Sequence, residues 1–169
     1  MGILATVVTD FGESRQLYFR INNVDASNHG VASVARVRGY ISRLAFEAGG
    51  AYMKEYEAIE FTPNVTDPLW TQGYAALKAK MEADYAQNQA DIAQMTSDVI
   101  AAQTAATSAA AALAAYVGDV TSEKSALQAA ADSTASILSD KQAQLTTLQG
   151  AALPAPAVQD VLESGQATA

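Results

Sequence analysis

Between Asp67 and Gly150 the larger apolar residues recur in alternating steps of three and four, set in a background of Ala, Gln, Thr and Ser. From Tyr85 the series runs through Asn88, Ile92, Met95, Val99, Ala102, Ala106, Ala109, Leu113, Tyr116 and Val120. That spacing draws one narrow stripe along a helix, the pattern of a coiled-coil seam, and a polar member such as Asn88 can set its register. The stripe is too thin to make a core alone: ten of residues 101–115 are Ala, and a methyl group removes little surface from water. A helix from Pro68 to Tyr116 would be about 73 Å long at 1.5 Å per residue, and helices gain most of their stability by packing an apolar face on something else. The tract therefore requires a covering helix, from the same chain or from another copy.

Val117-Gly118-Asp119 is the break in the tract. Gly118 can close one helix at C′ and Asp119 can cap the next. The second helix, Val120 to Leu148, carries Leu127, Ala131, Leu138, Leu145 and Leu148. Two arrangements fit: an antiparallel hairpin, which the break favours slightly, or a continuous rod in a parallel bundle.

Residues 1–62 have a different character. Ile3–Thr9 is rich in β-branched residues, and in Gln16–Asn22 the residues Leu17, Phe19 and Ile21 alternate with Tyr18, Arg20 and Asn22, the period of a strand with one buried face. Ser27-Asn28-His29-Gly30 is turn chemistry. Val31–Ile41 reads as a third strand disturbed near Val34, as by a bulge. Ser42 suits the N-cap of a short helix, Arg43–Ala48, closed by Gly49-Gly50, and Lys54–Phe61 is a fourth strand. Residues 63–67 form a linker, with Asp67 as N-cap and Pro68 at the first helical position. Trp70, Tyr74, Leu77 and Met81 then form a bulky stripe that should pack the helix on the β-domain. The expected fold is α+β: a small N-terminal antiparallel β-domain with one short helix (1–62), an Ala-rich coiled coil or helical hairpin (68–150), and an extended tail (151–169) containing Pro154 and Pro156.

Charge narrows the partners. The net charge is −8; residues 65–169 carry four Lys/Arg against eleven Asp/Glu. An acidic rod gathers counterions rather than releasing them, so neither nucleic acid nor an anionic membrane is expected as a partner. There is no cysteine, which excludes disulfides and thiolate metal sites. The first residues, MGILATVVTD, read as a strand rather than a signal peptide. Val99–Val117 is nineteen residues without a formal charge. Its Gln103, Thr104, Thr107 and Ser108, its scarcity of Leu, Ile and Phe, and its lack of basic or Trp anchors argue against a membrane span.

Catalytic chemistry is hard to place. His29 is the one histidine and sits in a turn. The chain has no nucleophile elbow, phosphate loop, dinucleotide fingerprint or His-Glu-x-x-His, and no cofactor is expected. Asp84, Asp91 and Asp98 repeat every seven residues, which spaces them about 10.5 Å apart on a helix, too far for one cation. They read as an acidic stripe beside the seam, and Glu55, Glu57 and Glu60 read as strand-surface residues. Asn64-Val65-Thr66 matches a glycosylation tripeptide by coincidence.

Val37-Arg38-Gly39-Tyr40-Ile41-Ser42, Ala45-Phe46-Glu47-Ala48-Gly49 and Glu57-Ala58-Ile59-Glu60-Phe61, with the Asp67-Pro68-Leu69-Trp70 start of an Ala/Gln/Thr-rich coil, resemble small virion structural proteins of tailed bacteriophages. The resemblance implies a non-enzymatic tail, fibre or decoration component, present in symmetric copies in the virion and bound to other virion proteins. It brings no catalytic residues. On that reading the β-domain anchors the subunit through sheet edges and Tyr18, Tyr40, Tyr52 and Tyr56. The assembly interface comprises Trp70, Tyr74, Leu77, Met81, Ile92, Met95, Val99, Leu113, Tyr116, Leu127, Leu138 and Leu145, and a trimer is favoured. A helical adaptor or chaperone-like protein, a capsid decoration protein and a membrane-active helical protein are the alternatives.

Overall fold

β-branched and aromatic residues in alternation build the sheet. In a computed structural model that describes residues 1–26, 31–64 and 66–161, the elements run β1 (Gly2–Val8), β2 (Ser14–Asp25), β3 (Ser33–Tyr40), α1 (Arg43–Glu47), β4 (Lys54–Phe61), α2 (Leu69–Ala114), α3 (Thr121–Gly150) and β5 (Gln159–Val161). The expected turn at Ser27–Gly30, with His29, lies outside the described residues, as do Val65 and the end of the tail. The strands form one antiparallel sheet in the order β4-β3-β2-β1-β5. The α+β class and the hairpin-like pairing of two helices are therefore as the sequence pattern suggests.

The chain divides into two units, one of residues 1–86 with 153–169 and one of Gln87–Ala152. The first is larger than the sheet alone, because the start of α2 is part of its core. Ile3, Ala5, Val7, Leu17, Phe19, Ile21, Ala35, Val37 and Ile59 from the strands enclose Tyr74, Leu77 and Met81 from α2. Gly73 permits the approach, since a Cβ there would lie 2.9 Å from Ile21 Cδ1. Trp70 departs from the expected burial: one turn before Tyr74 and on the same helix face, it is 48% exposed and lines an open pocket with Ile21 and Tyr74.

Part of the other face of the sheet, around Tyr18 and Tyr40, is covered by α1. Ser42 caps it as expected, accepting from the Ala45 amide at 3.1 Å, and Gly49 closes it at φ +72°, a left-handed conformation that glycine takes without steric cost. Phe46 thereby reaches Tyr18 (centroids 6.1 Å) and Tyr40 (5.2 Å), with the Arg20 guanidinium 5.5 Å from its ring. Tyr18 and Tyr40 are buried. They are internal packing, not the exposed anchors expected of them, because alternation alone did not reveal that α1 covers this face. Tyr56 is half-buried against Phe19, and burial pushes its hydroxyl pKa up to about 12. Of the four tyrosines, Tyr52 alone is exposed, with Arg38 stacked 4.5 Å from its ring.

The irregularity expected in β3 lies in its neighbours. β3 alternates without interruption through buried Ser33, Ala35, Val37 and Gly39. The extra residues are on β2, between Ile21 and Asn23, and on β4, between Tyr56 and Ile59. The end of the β1–β2 ladder has a structural consequence. Ile21 lies beyond the end of the β1 ladder, and its amide donates instead to the Tyr74 hydroxyl at 3.1 Å, which donates to the Met1 carbonyl at 2.9 Å. Arg20 also donates to that carbonyl.

The linker into α2 is fastened by side chains. Asn64 Oδ1 accepts from the Thr66 and Asp67 amides at 2.9 and 2.8 Å, and Gln72 Nε2 donates to the Asn64 and Asp67 carbonyls. The first helical carbonyl is that of Pro68, which accepts from Thr71 and Gln72. The helix therefore starts one residue later than the expected Asp67 cap.

Tyr74→Phe removes the acceptor used by the buried Ile21 amide, and should cost about 1–3 kcal/mol in chemical denaturation. An unchanged unfolding midpoint would show that the hydroxyl does not join helix to sheet.

Candidate functional site

The second unit consists of α2 from Gln87 onward, a turn, and α3. Along α2 the better-covered side chains are Asn88, Ile92, Met95, Val99, Ala102, Ala106, Ala109 and Leu113, with Tyr116 just past its end; along α3 they are Leu127, Ala131, Thr134, Leu138, Lys141, Leu145 and Leu148. Both sets step by three and four, so each helix presents one stripe to the other. The pairing is antiparallel. Met95 shares a cleft with Thr147 and Leu148, and Leu113 shares a trough with Gln128 and Ala131. Between them Lys141 Nζ donates to Asp98 Oδ2 at 3.0 Å. Gln87 lies eleven residues before Asp98 and Ala152 eleven after Lys141, so the two arms beyond this pair are equal in length. This is the hairpin arrangement, not the continuous rod.

The expected interface residues fall into two groups. Tyr74, Leu77 and Met81 are core of the first unit, with Trp70 exposed nearby. Ile92, Met95, Val99, Leu113, Tyr116, Leu127, Leu138 and Leu145 all lie on the hairpin seam and are half-buried. Tyr85, the first residue of the expected series, belongs to the first unit. There it lines a cavity of about 300 Å³ with Tyr56, Met81 and Pro154. Val120, the last, is 49% exposed in the turn.

The turn also departs from the expected capping. Gly118 has no positive φ, and α3 is capped by Val120 without a side-chain bond. The Tyr116 ring lies against Gly118, where a Cβ would stand 2.6 Å from its hydroxyl oxygen. That hydroxyl sits 2.9 Å from the Glu123 carboxylate and 3.1 Å from the Val120 carbonyl. Its pKa is raised by burial first and then by the bond to Glu123.

The seam is incompletely covered. Within the described part of the hairpin only Ala102, at 8% exposure, is buried. Alanines at 106, 110, 114, 131 and 135 leave an open trough of about 630 Å³ between the helices. Ile100 and Ile137, outside the seam, are 62% and 49% exposed. Such a surface can cover and be covered by further helices.

The acidic stripe is tied to its own helix. Lys80 donates to Asp84, Gln87 to Asp91 and Gln94 to Asp98, each four residues on. Glu55 is paired with Arg38 at 2.7 Å, and this bond holds its carboxyl below the usual range. Among the described residues no group of three or more His, Asp or Glu could hold a metal ion, and no described helix is long and apolar enough to cross a membrane. Lys141 escaped the sequence reading although its seven-residue spacing from Thr134 and Leu148 places it on the α3 stripe. No family model, curated protein or solved structure matches the chain.

The Asp98 carboxyl lies below its ordinary range because Lys141, and then Gln94, stabilise its ionised form by hydrogen bonds. A depressed folded-state pKa makes this contribution complete above the unfolded value of about 3.9 and lost as pH falls through the folded one. The thermal midpoint of helical circular dichroism should therefore drop on acidification below about pH 4, and less so in Lys141→Met. The same acid dependence in both proteins would mean that the ion pair does not hold the hairpin.

Proposed function

We propose that the chain is a non-enzymatic structural subunit of a bacteriophage virion, a tail- or fibre-associated protein that self-assembles through its helical hairpin and docks on other virion proteins. One observation carries the assembly part of this reading: the hairpin seam is half-covered along its whole length, with Ile100 and Ile137 exposed beside it. Apolar surface left in that state is covered favourably by more helix, and identical copies supply it in a closed, symmetric arrangement. A trimer is the favoured closure. The virion part rests on the resemblance of the β-domain segments and the Asp67-Pro68-Leu69-Trp70 helix start to phage structural proteins. In this reading the sheet unit is the anchor, with Tyr52 and Trp70 as its exposed aromatic contacts.

Light scattering and circular dichroism on one purified sample test the assembly. A strongly helical oligomer is expected, and Val99→Asp or Leu113→Asp should lower both mass and helicity while leaving the sheet unit folded. If both variants kept full mass and helicity, the seam would not be the contact between copies. A wild-type monomer with well-formed helix would favour the helical adaptor instead.

A further inference from the structure

The sheet of the first unit is completed by the far end of the chain. β5 pairs antiparallel with the edge of β1 through Gly2↔Val161, Ile3↔Asp160 and Leu4↔Gln159. The Lys78 ammonium on α2 donates to both Asp160 oxygens, at 2.7 and 3.0 Å, and Val158 packs on the core just before the strand. Upstream, Pro154 and Pro156 lie along Met81 and Tyr85 at the cavity described above. We propose that this C-terminal segment is an exchangeable strap: the β1 edge accepts the same segment from a second copy, so that neighbouring subunits are joined by strand exchange. The proposal rests on the self-association argued above and names a second contact through which it is made.

Three features support exchange. The strap is held by a short ladder and an exposed ion pair, which contributes little in water, and the Ala157 and Val158 amides bond within the segment, to Ala155 and Pro156, rather than to the sheet. Such elements open at low cost while the rest of a domain stays folded. Pro154 and Pro156 fix φ and keep the residues before them extended; drawn out fully on exchange, the eight residues from Ala151 to Val158 would span about 25 Å. The ligand is also already matched to its site, because a second copy's segment would make the same backbone bonds, the same Asp160–Lys78 pair and the same Val158 contact. That is the usual economy of a swapped element.

The opposite edge of the sheet is unsuited to strand addition. β4 carries Glu55, Glu57 and Glu60 and the bulge before Ile59, and charges and bulges on an edge strand deter pairing. The β1 edge, covered by three residues, is thus the side on which a strand can be replaced. Copies held side by side by their hairpins would raise the local concentration of each other's straps, so exchange would follow assembly.

The absence of cysteine makes a clean test available. Leu4→Cys and Gln159→Cys, opposed in the ladder, are placed in separate full-length chains, which are mixed, unfolded, refolded together at high concentration and oxidised. Exchange predicts a disulfide-linked heterodimer in at least ten-fold excess over a control pairing Glu57→Cys with Gln159→Cys. Lys78→Cys with Asp160→Cys, joined by a short bismaleimide, repeats the test at surface positions that leave the ladder intact. If the mixture is oligomeric but no links form between chains, while the doubly substituted chain links internally, exchange is wrong and hairpin self-association stands. A monomer with internal links alone overturns both. No link in either doubly substituted chain would show that the strap does not occupy the β1 edge, which also overturns the proposal.

Discussion

An alanine methyl removes so little apolar surface from water that a seam built on it cannot close a core between two helices. A buried CH₂-sized group is worth about 0.8 kcal/mol, against about 1.5–3 kcal/mol for a fully buried leucine or methionine. Along α2 the seam keeps its larger side chains toward the two ends and fills its middle with Ala102, Ala106 and Ala109, while α3 places Ala131 and Thr134 between Leu127 and Leu138. The result is a pair of helices in register, tied by Asp98 and Lys141, with nearly every seam residue half in water. The pairing direction is specified, and much of the stabilisation that burial could supply is left for further helices. The self-assembly reading follows from that deficit.

α2 meets the opposite condition at its start. Tyr74, Leu77 and Met81 are large and almost fully buried, and the Tyr74 hydroxyl takes over a hydrogen bond that the Ile21 amide, beyond the end of the β1 ladder, would otherwise leave unmade. One helix thus belongs to two units on different terms, as the core of a sheet up to Ala86 and as half of a thin seam beyond it.

Features set by local periodicity were readable in the sequence. The alternation of Leu17, Phe19 and Ile21, the Ser42 cap, β4 at Lys54–Phe61 and the seam from Asn88 to Tyr116 all appear where the pattern puts them. What was hidden depends on partners distant in the chain. Gln159–Val161 is too short to show a period, and its strand character exists only because β1 lies beside it. Tyr18 and Tyr40 read as outward-facing until α1 brings Phe46 over them. The bulge was sought in β3 because its composition is irregular there, yet the extra residues sit in β2 and β4, where pairing rather than composition decides. Asp67 and Asp119 are good capping residues that were not used: Pro68 and Val120 stand at the helix starts, and side chains of Asn64, Gln72 and Tyr116 bind the neighbouring backbone instead. The residues named for an assembly interface divide between sheet core and hairpin seam, a division that periodicity alone marks only in part.

The hairpin is incompletely covered in one chain, and the proposed assembly covers it with copies of itself. Amide hydrogen exchange across a dilution series reads this directly, since the sheet unit serves as an internal control. Protection of residues 92–148 should rise with protein concentration while that of β1 to β4 stays constant. Hairpin protection that is already high and independent of concentration would contradict the account, because the two helices would then be sufficient for each other.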